Sequence, residues 1–212
     1  MRTLADLLLV LVLLSYVAIV SSSRVSACIR AVAWQGAMLG VLSLLMGDPR
    51  SLRVILLAAG TVVVKAILLP RLLRWAMREA TVRREVEPLV GYTGSLVLGA
   101  LAIGIAFAVS RRLPAGEYGG LIIPVALAGL MIGLLVLITR NKAITQVVGY
   151  LMLENGVYLF GLTQSVRVPF LVEIGVLLDV FVGVFIMGIV VFHINREFDS
   201  MSAGQLTELR ES

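Results

Sequence analysis

Residues Val147–Leu162 read VVGYLMLENGVYLFGL, an apolar run in which Glu154 is the only charged residue. Glu173, Asp179 and Lys65 lie in similarly apolar surroundings. Such runs read as lipid-spanning helices, where an acid or an ammonium costs about 2.5–3.5 kcal/mol on insertion scales. Four such groups in one chain point to a use for them. The usual use is to hold, pair with or pass on protons or ions.

Composition agrees with a membrane setting. Hydrophobic residues make up 59% of the 212 and charged residues 15%, with a mean hydropathy of +1.02. A soluble domain is nearer half apolar and a quarter charged. Cys28 is the single cysteine and His193 the single histidine. An internal disulfide, a cysteine-bound cluster and a His/Cys metal site are therefore excluded within the chain. The net charge of +5 does not indicate nucleic acid, because the basic residues flank apolar runs, as membrane topology requires.

Seven spans are expected, at about Leu4–Ser21, Ala31–Met46, Leu52–Leu69, Leu89–Val109, Leu121–Ile138, Val147–Leu162 and Phe170–Phe192. The fold class is all-α, a polytopic membrane helix bundle. Its first run is too long for a signal peptide and reads as a retained helix. Residues 1–110 form a four-helix part, with Pro70–Pro88 as an amphipathic interfacial segment. Residues 111–196 form a three-helix part and residues 197–212 a cytoplasmic tail. Arg2, Arg50, Arg53, Arg111, Arg112 and Arg167 fall on one side of these spans. Arg24, Arg30, Arg71, Arg74, Arg78, Arg83, Arg84, Arg140, Lys142, Arg196 and Arg210 fall on the other. The positive-inside rule then places the N-terminus outside and the C-terminus in the cytoplasm.

Glu154 is roughly 15 Å into its span, near the midplane. Tyr150, Asn155 and Tyr158 give its helix a polar stripe. Burial disfavours a charged carboxyl and a nearby cation favours it, so a group between those influences suits a proton relay. The alternative is a polar clasp to a neighbouring helix. Glu173 and Asp179 are about 9 Å apart along their helix and about 120° apart around it, facing different neighbours. Glu173 also lies within reach of the outer interface. Lys65 either snorkels to the cytoplasmic interface or is buried against a carboxylate. Gly175, Gly183 and Gly188 leave the last span free to bend, and His193 reads as an interfacial anchor.

The segment Arg140-Asn141 followed by Gly149-Tyr150-Leu151-Met152-Leu153-Glu154-Asn155-Gly156 resembles the E component of hydrogenase-4. So do Lys65-Ala66-Ile67-Leu68-Leu69-Pro70, Leu171-Val172-Glu173-Ile174-Gly175 with Asp179, and Gln205-Leu206-Thr207-Glu208-Leu209. These motifs occur in order, from the third span to the C-terminus. The last three spans also resemble the K subunit of respiratory complex I and the C subunit of multisubunit sodium/proton antiporters. In the former, a membrane glutamate follows a glycine by two positions. Here Glu154 follows Gly149 by five, about one helical turn further along a similar face. Glu173 is the counterpart of the second membrane glutamate, and Arg140 and Lys142 echo the paired basic residues of a cytoplasmic loop.

The resemblance implies a subunit in the membrane arm of a complex related to group 4 nickel–iron hydrogenases and complex I. Its neighbours in the inner membrane would be antiporter-like proteins and relatives of the H-type membrane component of complex I. Soluble redox subunits would complete the assembly. Iron–sulfur clusters and a nickel–iron site would belong to those partners, with no cofactor bound by this chain and no catalytic centre of its own. Glu154, Glu173 and Asp179 would carry protons or sodium, with Lys65 as their cationic partner. Two other readings stay open: a structural subunit whose charges clasp helices, and a stand-alone transporter of a small solute.

Overall fold

A computed structural model describes residues 2–47, 51–79, 89–113, 120–164, 178–179 and 181–188. Within them every regular element is helical: α1 (Arg2–Ser21), α2 (Val25–Met46), α3 (Leu52–Thr61), a π-helical segment (Val62–Leu68), α4 (Leu69–Glu79), α5 (Tyr92–Ser110), α6 (Ile122–Thr139) and α7 (Ala143–Gln164). Residues 178–179 and 181–188 are helical too. Among the described residues, five stretches are long and apolar enough to cross a membrane: Thr3–Ser21, Val25–Met46, Leu52–Arg78, Tyr92–Ser110 and Ile122–Thr139. The chain is an integral membrane protein. Glu173, His193, Gly175, Arg167 and the tail 197–212 lie outside the described residues.

The bundle is apolar outside, as expected of a body solvated by lipid, and its largely apolar core also encloses the polar side chains. On α1, Leu9, Val12 and Tyr16 are fully buried while Leu4, Leu7, Leu11 and Leu14 are exposed. This is one face of a 3.6-residue period turned inward and the other left for acyl chains. Phe181, Val184 and Leu101 are also exposed, whereas Gln35, Ser43, Thr61, Lys65, Arg140, Glu154, Asn155 and Asp179 are buried. Hydrocarbon offers no hydrogen bonds, so polar side chains are sequestered where they can find each other.

Helices α6 and α7 pack backbone to backbone. A Cβ on Gly133 would meet the backbone of Leu153, one on Gly149 would meet Leu137 N and Gly133 O, and one on Gly156 would meet Leu130 N. Small residues allow this approach, and the close contact replaces a hydrophobic drive that lipid does not supply. Helix α2 crosses the middle, packing against α1, α3, the π-helical segment, α4 and α7.

The third helix is longer than the sequence suggests. It does not end at Leu69: residues 70–79, expected to begin the interfacial segment, continue it within α4. Pro70 lies two residues past the end of the π-helical segment, near where the hydrogen-bond ladder changes register and a missing N–H is best tolerated. The remainder of that segment, residues 80–88, lies outside the described residues.

Candidate functional site

The site begins with the π-helical segment that carries Lys65. There the N–H of Leu69 bonds to the carbonyl of Val64, five residues back, so the helix is locally widened by one residue. Such widenings are rare and concentrate at functional positions. Gly36 on α2 makes room for it. A Cβ there would lie 2.6 Å from the Cβ of Lys65 and 2.7 Å from its carbonyl carbon.

From this position the Lys65 ammonium reaches two carboxylates. Its Nζ donates to Glu154 Oε1 at 2.5 Å and to Asp179 Oδ1 at 3.1 Å. The side chains of all three residues are at most 4% exposed. Lys65 therefore does not snorkel to the interface, because two acids hold it inside. Among the described residues the cluster contains one cation for two acids, and Glu154 Oε2 is buried without a hydrogen-bond partner. An ionised pair of carboxylates would leave one negative charge uncompensated among apolar walls. A single added proton balances the site.

A hydroxyl group adjoins the cluster. The Tyr158 ring lies 5.8 Å from Lys65 Nζ, one turn along α7 from Glu154. Its hydroxyl contacts Ser43 Oγ at 2.6 Å and Thr61 Oγ1 at 3.0 Å. Ser43 and Thr61 already donate to the carbonyls of Leu39 and Leu57. Three hydroxyl protons thus serve four contacts, and Tyr158 can donate to only one neighbour at a time. Beside it is a cavity of about 220 Å³, bounded in part by Gly60, Thr61, Lys65, Tyr158 and Asp179. Leu56, Leu57 and Val64 make most of its lining apolar, with Thr61, Lys65, Tyr158 and Asp179 as the polar groups at which water could bind.

The next residue of α7 points into a different network. Asn155 Nδ2 donates to Gln35 Oε1 at 3.0 Å, Gln35 Nε2 donates to Ser15 Oγ at 2.7 Å, and Ser15 Oγ donates to the Val12 carbonyl. This line ties α7 to α2 and α1.

The remaining residues conspicuous in the sequence stand apart from the cluster. Tyr150 is half-buried and, with Phe181, Val182 and Phe185, helps line a second cavity of about 180 Å³. Arg140 is buried: one guanidinium nitrogen donates to the Val20 carbonyl at 2.8 Å, and the group lies 4.8 Å from the Tyr92 ring centroid. It fastens the α6–α7 connection to the end of α1. Lys142 sits in the same connection, just before α7. Sequence reasoning misses Gln35, Ser43, Thr61 and Gly36. Each is an isolated polar or small residue in an apolar helix, a signal visible only once partners are known. Among the described residues no three His, Cys, Asp or Glu side chains gather so as to hold a metal ion.

Comparison with known proteins places this geometry in context. The chain is 36% identical to "Uncharacterized protein Rv0085" of Mycobacterium tuberculosis over 203 residues, which cover 93% of this chain and 92% of that protein. It is 28% identical to hydrogenase-4 component E of Escherichia coli K12 over 155 residues, 72% of each chain. The component E of Shigella flexneri aligns with the same identity and coverage. No protein-family model and no solved structure matches the chain.

Proposed function

This chain belongs to one family with the Mycobacterium tuberculosis protein Rv0085 and is a relative of hydrogenase-4 component E, and on that premise we propose that it is a non-redox membrane subunit of a complex I-like, group 4 hydrogenase-type assembly. Its task there is to pass protons. The observation that carries this reading is the buried Lys65–Glu154–Asp179 cluster, with two acids on one ammonium and an unpartnered Glu154 oxygen.

Glu154 is the central carrier. Lys65 sets the balance between its charged and neutral forms, and Asp179 exchanges protons with it and with water in the adjoining cavity. Glu173 is, with Asp179, a flanking carrier. Redox centres belong to soluble partners. Antiporter-like proteins and a relative of the H-type component of complex I flank the chain in the membrane. In this reading α7 and the helix containing Asp179 complete seven spans. The N-terminus lies outside and the C-terminus in the cytoplasm, in the inner membrane. Carboxylates that are costly in lipid, gathered at one point and only partly neutralised, support proton transfer more than they support a clasp.

The test is Glu154→Gln in the intact complex. Glutamine keeps the shape and a hydrogen-bond acceptor for Lys65 but cannot carry the proton. Assembly should survive while coupled proton movement falls by about a hundredfold, the scale typical for loss of a proton-transfer group. If normal pumping persists in the assembled variant, Glu154 is not the carrier. If the complex fails to assemble, the cluster is a clasp.

A further inference from the structure

A third cavity, of about 250 Å³, lies between α2 and α4, beside the end of the π-helical segment. It is lined by Arg30, Trp34, Arg74 and Pro70, with Ala33, Ala37 and Ala66 among its apolar walls. Arg30 and Arg74 are both exposed, and Trp34 is 68% exposed. Arg30 lies near the start of α2 and Arg74 near the end of the helix that runs from Leu52 to Arg78. These two helices run in opposite directions, so both guanidinium groups mark the same membrane face.

The small residues lie deeper. Ala33 and Ala37 are about 4 and 10 Å further along α2 than Arg30, and Ala66 is about 12 Å back along its helix from Arg74. The groove therefore has two cations at its mouth, Ala33 and the Trp34 indole about one turn further in, and Ala37 and Ala66 as apolar walls towards the membrane centre. That order matches a phospholipid: phosphate outermost, glycerol beside an interfacial tryptophan, acyl chain inward. Arg74 commits its Nε–H to the Pro70 carbonyl at 3.2 Å. Its two terminal nitrogens can then face a phosphate, which suits the forked guanidinium better than a neutral headgroup would.

We propose that this groove is a binding site for one anionic phospholipid, its headgroup phosphate held by Arg30 and Arg74 and one acyl chain lying along Ala33, Ala37 and Ala66. The site is separate from the proton path, although it flanks the Gly36–Lys65 contact and a resident lipid would support that contact from outside.

The experiment reconstitutes the whole complex into phosphatidylcholine vesicles with a trace of phosphatidylglycerol bearing a photoreactive acyl chain. A phosphatidylcholine probe with the same chain serves for comparison. After illumination, crosslinks are mapped by mass spectrometry. The glycerol lipid should label the peptide containing Ala33 and Ala37 about tenfold more than the choline lipid, as two basic residues at a headgroup favour. The Arg30→Gln, Arg74→Gln double variant should lose that preference, and an Arg111→Gln, Arg112→Gln variant should keep it. Both arginines being exposed, the double variant should still co-purify with its partners. Equal labelling by the two probes, or a preference unchanged in the double variant, overturns the site.

Discussion

Glu154 and Asn155 are neighbours in sequence and both are buried, yet their side chains enter networks of opposite character. On the Asn155 side, one N–H of each amide and the serine hydroxyl are committed in one direction, ending on the Val12 carbonyl. Amides do not readily gain or lose protons, so that line can hold helices but not conduct. On the Glu154 side, two acids share one ammonium, an oxygen is unpartnered, and hydroxyl contacts outnumber hydroxyl protons. Saturated networks fix structure, whereas unsaturated ones leave alternatives of similar energy between which a proton can move. One helix thus presents a fastening and a relay at adjacent positions.

The contrast can be broken most severely at Lys65. Lys65→Met leaves two buried carboxyls without their cation and should cost about 3–5 kcal/mol, seen as loss of assembled complex and a lower melting temperature in detergent. The triple variant with Glu154→Gln and Asp179→Asn should recover much of that stability and none of the proton movement. If the triple variant is no more stable than Lys65→Met, the loss came from packing rather than from stranded charge. A smaller effect is expected at Gly36. Gly36→Ala pushes α2 against the Lys65 backbone and should cost about 1–3 kcal/mol, with proton movement slowed because the ammonium is displaced. The other network is tested by Asn155→Leu. Gln35 Oε1 then loses its buried donor, at about 1–3 kcal/mol, while the coupling of proton movement per turnover stays near the parent value. A collapse of coupling in Asn155→Leu comparable to that in Glu154→Gln would erase the distinction between the two sides.

Part of this is legible in the sequence. Long apolar runs announce membrane helices because lipid demands them, and isolated charges within them stand out by their cost. Lys65, Glu154 and Asp179 are conspicuous on that ground alone. That Lys65 meets both acids is not legible: helical geometry gives the spacing of residues on one helix but not which neighbour each face meets. The π-helical widening at Val62–Leu68 has no compositional signature beyond a β-branched run ending in Lys65, with Pro70 shortly after. Ser43, Thr61 and Gln35 look like ordinary tolerated polar residues until Tyr158 and Asn155 arrive beside them. Arg140 is legible as one of two basic residues of a short connection, but not its burial, which depends on the carbonyl of Val20 and the ring of Tyr92.

The central claim is that a proton resides on Glu154 and leaves it during turnover. Infrared difference spectroscopy of the working complex reads this directly, through the carbonyl stretch of a protonated buried carboxyl. A band that appears or vanishes with turnover in the parent complex, and is abolished in Glu154→Gln, is the predicted result. A spectrum with no turnover-dependent carboxyl band, or one whose band survives unchanged in Glu154→Gln, would contradict it.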